Sequence, residues 1–129
     1  MPEHINDELK PLMEVLKKLR AEGRILIAIL YGSFASGTPH ARSDVDLALF
    51  VPPMSREDEL DAVDQILAAV DREVSILRLD DEDESPFVVQ AALKGLHLTE
   101  PDEDALFRVA DHALHESEGL RMRRAAHAG

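Results

Sequence analysis

Tyr31-Gly32-Ser33-Phe34-Ala35-Ser36-Gly37-Thr38-Pro39-His40-Ala41-Arg42-Ser43-Asp44-Val45-Asp46-Leu47 is the stretch on which the fold turns. It follows directly on Ile25-Leu26-Ile27-Ala28-Ile29-Leu30, an apolar run with no polar member. A short run of this kind, rich in β-branched side chains, predicts a central strand covered on both faces. Residues 32–43 then carry Gly32, Ser33, Ser36, Gly37, Thr38, Pro39 and Ser43, which is loop and turn chemistry. A second strand is predicted over 44–51. It alternates Asp44, Asp46, Ala48 and Phe50 against Val45, Leu47, Leu49 and Val51, and Pro52-Pro53 stops it.

Two chemical features coincide here. Gly32 has no side chain, so backbone can approach a bulky anion closely. Exposed N–H groups and the Ser33 hydroxyl can donate to phosphate oxygens. Asp44 and Asp46 stand two apart on a strand and point to the same face, with Cα atoms roughly 7 Å apart. Converging carboxylates suit hard divalent cations, and two such ions about 4 Å apart clamp the attacking and leaving oxygens of a phosphoryl transfer. An Asp-x-Asp by itself is a common strand-end pattern, and a lone Gly-Ser says less. The context adds weight: an unpaired carboxylate inside a strand is costly, and Val45, Leu47 and Leu49 place the opposite face in the core.

Working outward, residues 6–22 place Leu9, Leu12, Met13, Leu16 and Leu19 on one helical stripe. Pro11 is expected near the start of that helix and Gly23 at its end. Ser55-Arg56-Glu57-Asp58 opens a second helix as a capping box, with an expected inward stripe of Leu60, Val63, Ile66, Leu67 and Val70. A third strand is predicted over 73–79, followed by the acidic stretch 80–84. A short helix then runs from Ser85-Pro86 to Lys94-Gly95. Residues 96–99 suit a short edge strand. A last helix from about Asp102 is expected to turn Leu106, Val109, Ala110, Ala113 and Leu114 inward, with 121–129 as a frayed tail. The fold class is therefore α/β (α+β): a mixed sheet of three to four strands flanked by helices, in one domain over 1–129.

Composition narrows the function. The chain has 129 residues, 45% apolar and 31% charged, as in an ordinary globular protein. It has no cysteine, which removes disulfide and thiol chemistry and suits a reducing cytoplasm. The longest apolar run, 25–31, is far short of the roughly 20 residues that cross a bilayer, and the N-terminus lacks the layout of a signal peptide. A formal net charge of −12 argues against a nucleic-acid backbone as the main partner.

Gly32-Ser33, ten intervening residues, then Asp44-Val45-Asp46-Leu47 between apolar strands resembles the signature of the minimal nucleotidyltransferases of the DNA polymerase β superfamily. The order helix, strand, motif loop, strand, helix, strand and closing helices extends the resemblance over nearly the whole chain. The resemblance implies that Gly32 and Ser33 contact the triphosphate of ATP and that Asp44 and Asp46 ligate Mg²⁺. It also implies a partner, since many members pair with a small helical HEPN toxin and some transfer AMP from ATP to a tyrosine of that toxin. Two positions depart from the family pattern. Ser36 stands where Arg or Lys often follows the alanine, with Arg42 as another cation in the loop. Ser75 stands where a third carboxylate usually activates the attacking hydroxyl, and Glu73 lies two residues earlier on the same face.

Three readings follow: an AMP-transferring antitoxin, a degenerate transferase that neutralises its partner by binding alone, and a small-molecule transferase. The remaining polar clusters read more simply. Residues 80–84 suit a solvated acidic loop. His97, His112 and His115 lack zinc-site spacing. Arg121, Arg123 and Arg124 suit a solvated tail.

Overall fold

A computed structural model describes residues 3–32 and 44–128, with side chains over 8–32 and 44–117. The first helix, α1 (Glu3–Ala21), leads into strand β1 (Ile27–Tyr31). Leu9, Leu12, Leu16 and Leu19 are fully buried along α1, because spacings of three and four set them on one face. The helix begins earlier than its periodicity predicts, so Pro11 lies inside it rather than at its start. The buried leucines on either side of Pro11 hold the helical path despite the backbone bond that proline cannot make. Gly23, at φ +73°, ends α1 in a Schellman turn: its N–H donates to Arg20 O and the Arg24 N–H donates to Leu19 O.

Strand β2 (Val45–Phe50), helix α2 (Arg56–Ala68) and strand β3 (Val74–Arg78) follow. The expected cap is present: Ser55 Oγ accepts from the Asp58 N–H at 3.1 Å. The expected inward stripe of α2 is corrected. Ala62 and Ile66 are buried, whereas Leu60 is 50% exposed and Leu67 is also exposed. The sheet covers only one narrow band of this helix, and the apolar residues outside that band stay in solvent.

Helix α3 (Pro86–Leu93), strand β4 (Leu96–His97) and helix α4 (Glu103–Ala128) complete the chain. Asp102 caps α4, accepting from the Ala105 N–H at 2.9 Å. Its buried face is also corrected. Ala105, Val109, Ala113 and Ser117, each four apart, face inward, while Ala110 is exposed, Leu114 is 49% exposed and Phe107 is 72% exposed. Small residues let α4 approach α3 closely, and Gln90 of α3 donates to Ala113 O and Ser117 Oγ. The backbone of α4 runs through residues 121–128, the segment read from sequence as a frayed tail, and side chains there lie outside the described residues.

Among the described residues the four strands form one mixed sheet in the order β3-β2-β1-β4. β1 runs antiparallel to β2 and β4, and β2 runs parallel to β3. One face packs Ala28, Leu30, Val45, Leu47 and Leu49 against α1 and α2. The other packs Ile27, Ile29, Ala48 and Leu77 against α3 and α4. This is the α/β architecture the sequence predicts. No helix among the described residues is long and apolar enough to cross a membrane.

Candidate active site

The register of the central strands brings the candidate residues together. Tyr31 ends β1 and pairs with Asp46, and Asp46 pairs with Ser75 on the other side. Alternation along each strand puts these three side chains on the α3/α4 face, at the end that α3 and α4 leave open. Asp44 precedes β2 and lies on the same face as Asp46. Both are accessible, Asp44 fully and Asp46 in part.

Gly32 sits directly over this pair. Its φ is +76°, in the left-handed region that favours glycine. A Cβ built there would collide with Asp46 Oδ2 and lie 3.2 Å from Asp46 Cγ. Glycine is therefore required twice, once by backbone conformation and once by space. Gly95 has a related role behind the site, where a Cβ would collide with Leu30 O and reach 3.0 Å from Tyr31 Cβ. It lets β4 lie close to the end of β1.

The electrostatics are those of an anionic pocket. Burial raises the Asp46 carboxyl above its ordinary range, and the negative charge of Asp44 raises it further. Tyr31 is raised by burial first, then by the charges of Asp46 and Glu84. Two adjacent carboxylates that disfavour each other's ionisation are what a bound divalent cation relieves, and an all-oxygen donor set suits Mg²⁺. The residues present thus fit such an ion.

Other predicted positions separate. Ser33, Ser36 and Arg42 lie outside the described residues. Glu73 has the position its numbering predicts: its carbonyl accepts from the Val45 N–H at 2.9 Å, next to Asp44. Its side chain is exposed. Among the described residues no three His, Cys, Asp or Glu side chains gather into a metal-holding group, so Glu73 does not close a triad with Asp44 and Asp46. Ser75, exposed beside Asp46, occupies the cross-strand position itself.

The acidic stretch 80–84 divides. Asp81, Glu82 and Asp83 are exposed, as a solvated loop requires. Asp80 instead grips Arg78 at 2.8 and 3.0 Å and accepts from the Val51 N–H. Its role is to tie the end of β3 to the end of β2. Sequence reading missed Tyr31 and Glu84 as neighbours of the site; only the period-2 count from Ile27 could have pointed to Tyr31.

The sequence matches the family described as Polymerase beta, Nucleotidyltransferase over residues 13–104. The chain belongs to the polymerase beta nucleotidyltransferase family. Solved structures of low identity share this nucleotidyltransferase fold. One chain from a toxin–antitoxin complex with AMP-PNP is 20% identical at a TM-score of 0.66, covering 88% of this chain and 93% of that chain. One from the MntA–HepT toxin–antitoxin is 17% identical at 0.60, covering 91% and 92%. One from a complex of tri-AMPylated Shewanella oneidensis HEPN toxin with MNT antitoxin is 16% identical at 0.60, with the same coverage of 91% and 92%. Comparison with curated proteins gave no match.

Proposed function

We propose that this chain is a Mg²⁺-dependent nucleotidyltransferase that transfers AMP from ATP to a protein hydroxyl, a tyrosine of a HEPN-type toxin, and so acts as that toxin's antitoxin in the cytoplasm. The observation that carries the reading is the closure of Gly32 on Asp46 beside Asp44. A turn with no room for a side chain, set over a carboxylate pair, is the geometry for holding a triphosphate against a cation. Family membership and the complexes to which the fold is similar support it.

In this reading Gly32 and Ser33 hold the triphosphate through backbone N–H groups and the serine hydroxyl, and Asp44 and Asp46 hold Mg²⁺. When bound, Mg²⁺ supplies charge neutralisation at the phosphate oxygens. The acceptor oxygen bonds to the α-phosphorus, the bond from that phosphorus to the β-phosphate bridge breaks, and pyrophosphate leaves. The acceptor proton passes to a base, for which Glu73, next to Asp44, is the nearest exposed carboxylate on β3. The chain's charge of −12 favours a basic partner and speeds encounter at low salt.

Ser75 beside Asp46 favours a second reading, in which the chain neutralises its partner by binding with little turnover. One experiment separates the two. The toxin is incubated with labelled ATP, Mg²⁺ and either wild-type chain or the Asp44→Asn, Asp46→Asn double variant. AMP transfer reads out as label and as added mass on a toxin tyrosine, lost with the double variant. Rescue of cells by the double variant, with a stable complex and no label, sinks the enzyme reading.

A further inference from the structure

A hollow of about 700 Å³ lies at the outer edge of β4, lined by Lys17 and Arg20 of α1 and by His97, Thr99 and Glu100. It is separate from the carboxylate pair. His97 pairs with Ile29, two residues before the Tyr31 that pairs with Asp46, so β1 stands between hollow and pair. In a chain with net charge −12, two cations meet here against one carboxylate. The Arg20 Nε–H donates to Glu100 O at 3.0 Å, which sets the guanidinium at the rim.

Two polar atoms of the lining are unexplained by the fold. Thr99 Oγ1 and His97 Nδ1 are buried without a hydrogen-bond partner, and Thr99 is only 8% exposed. A buried hydroxyl left unpaired is destabilising, and valine would fill the same volume without that cost. A ligand that accepts from the hydroxyl offsets the cost. One χ1 step exchanges the methyl and hydroxyl of a threonine, which turns Oγ1 into the hollow.

The geometry points to a second binding site, in which this hollow takes the phosphate group of a small anion. Lys17 and Arg20 supply the charge, and Thr99 and His97 supply directed hydrogen bonds. A phosphate, with several acceptor oxygens, matches two cations and two further polar groups better than a carboxylate does. The site does not depend on the nucleotidyl-transfer reading, since none of its residues belongs to that machinery.

The test titrates inorganic phosphate into the full chain by calorimetry and thermal melting, with chloride matching the ionic strength. Saturable binding is expected in wild type and in Asp46→Asn alike. Lys17→Gln combined with Arg20→Gln removes it. Thr99→Val weakens it by about tenfold, the factor for one charge-assisted hydrogen bond. The same variant raises the melting temperature of the phosphate-free protein, a pairing of effects that a merely structural threonine does not give. The proposal is overturned by the absence of saturable binding, or by binding that persists in the Lys17/Arg20 variant. It is equally overturned by binding lost in Asp46→Asn, by unchanged affinity in Thr99→Val, or by acetate binding as well as phosphate.

Discussion

Gly32 lies against the carboxylate of Asp46 so closely that no side chain fits between them, and it does so at φ +76°. The end of β1 and the start of β2 are thereby locked into one surface. Gly32→Ala meets two costs. Holding alanine in the left-handed region costs about 1–2 kcal/mol, and the added methyl displaces Asp46. Urea unfolding should show a loss of at least that size, and the rise in melting temperature with Mg·ATP should vanish. A variant that keeps wild-type stability and the full nucleotide response would falsify the assignment of this turn.

Asp46 should oppose folding until a cation binds. Its folded carboxyl is raised by burial and by Asp44, so between the ordinary aspartate range and that raised value the folded state holds more protons than the unfolded chain. Stability from this group therefore falls as pH rises through the window, and the deficit is complete above it. Asp46→Asn should melt higher than wild type at neutral pH without metal, and the two curves should converge as pH drops below the aspartate range. With Mg·ATP the order should reverse. At a ligand concentration of about 100 Kd, wild type gains about 2.7 kcal/mol by mass action, and the variant gains little. If Asp46→Asn melts lower than wild type without metal, the repulsion argument fails.

Ser75 and Glu73 divide the role that a third carboxylate would play. Glu73→Gln should cut AMP transfer at least about tenfold while leaving nucleotide binding intact, as removal of a general base does. Ser75→Asp puts a third acid beside Asp46. It should lower stability without metal, since like charges then crowd one spot, and should tighten the response to Mg²⁺. Transfer at the wild-type rate in Glu73→Gln removes Glu73 as the base.

The corrected face of α2 gives a stability contrast. Ile66 is fully buried and Leu60 is 50% exposed. Ile66→Ala should cost about 2–5 kcal/mol, and Leu60→Ala within about 0.5 kcal/mol. Equal losses in chemical denaturation would return Leu60 to the core.

Local chemistry determined much of this protein. The apolar run before Gly32 made a strand, the alternation after Asp44 made another, and Ser55 and Gly23 marked helix ends, because each depends on neighbours within a few residues. The same counting placed Asp44 and Asp46 on one face. Tertiary structure alone decided which apolar residues of α2 and α4 are covered. Both helices carry more apolar positions than a four-stranded sheet can bury, so packing distance selected Ala62 and Ile66 over Leu60, and Ala105, Val109 and Ala113 over Leu114. It also decided that Tyr31, Asp46 and Ser75 form one row, that Asp80 serves Arg78 rather than solvent, and that Lys17 and Arg20 meet Thr99 across some eighty residues of sequence. Those juxtapositions follow from strand register and helix docking, and no local pattern of residues encodes them.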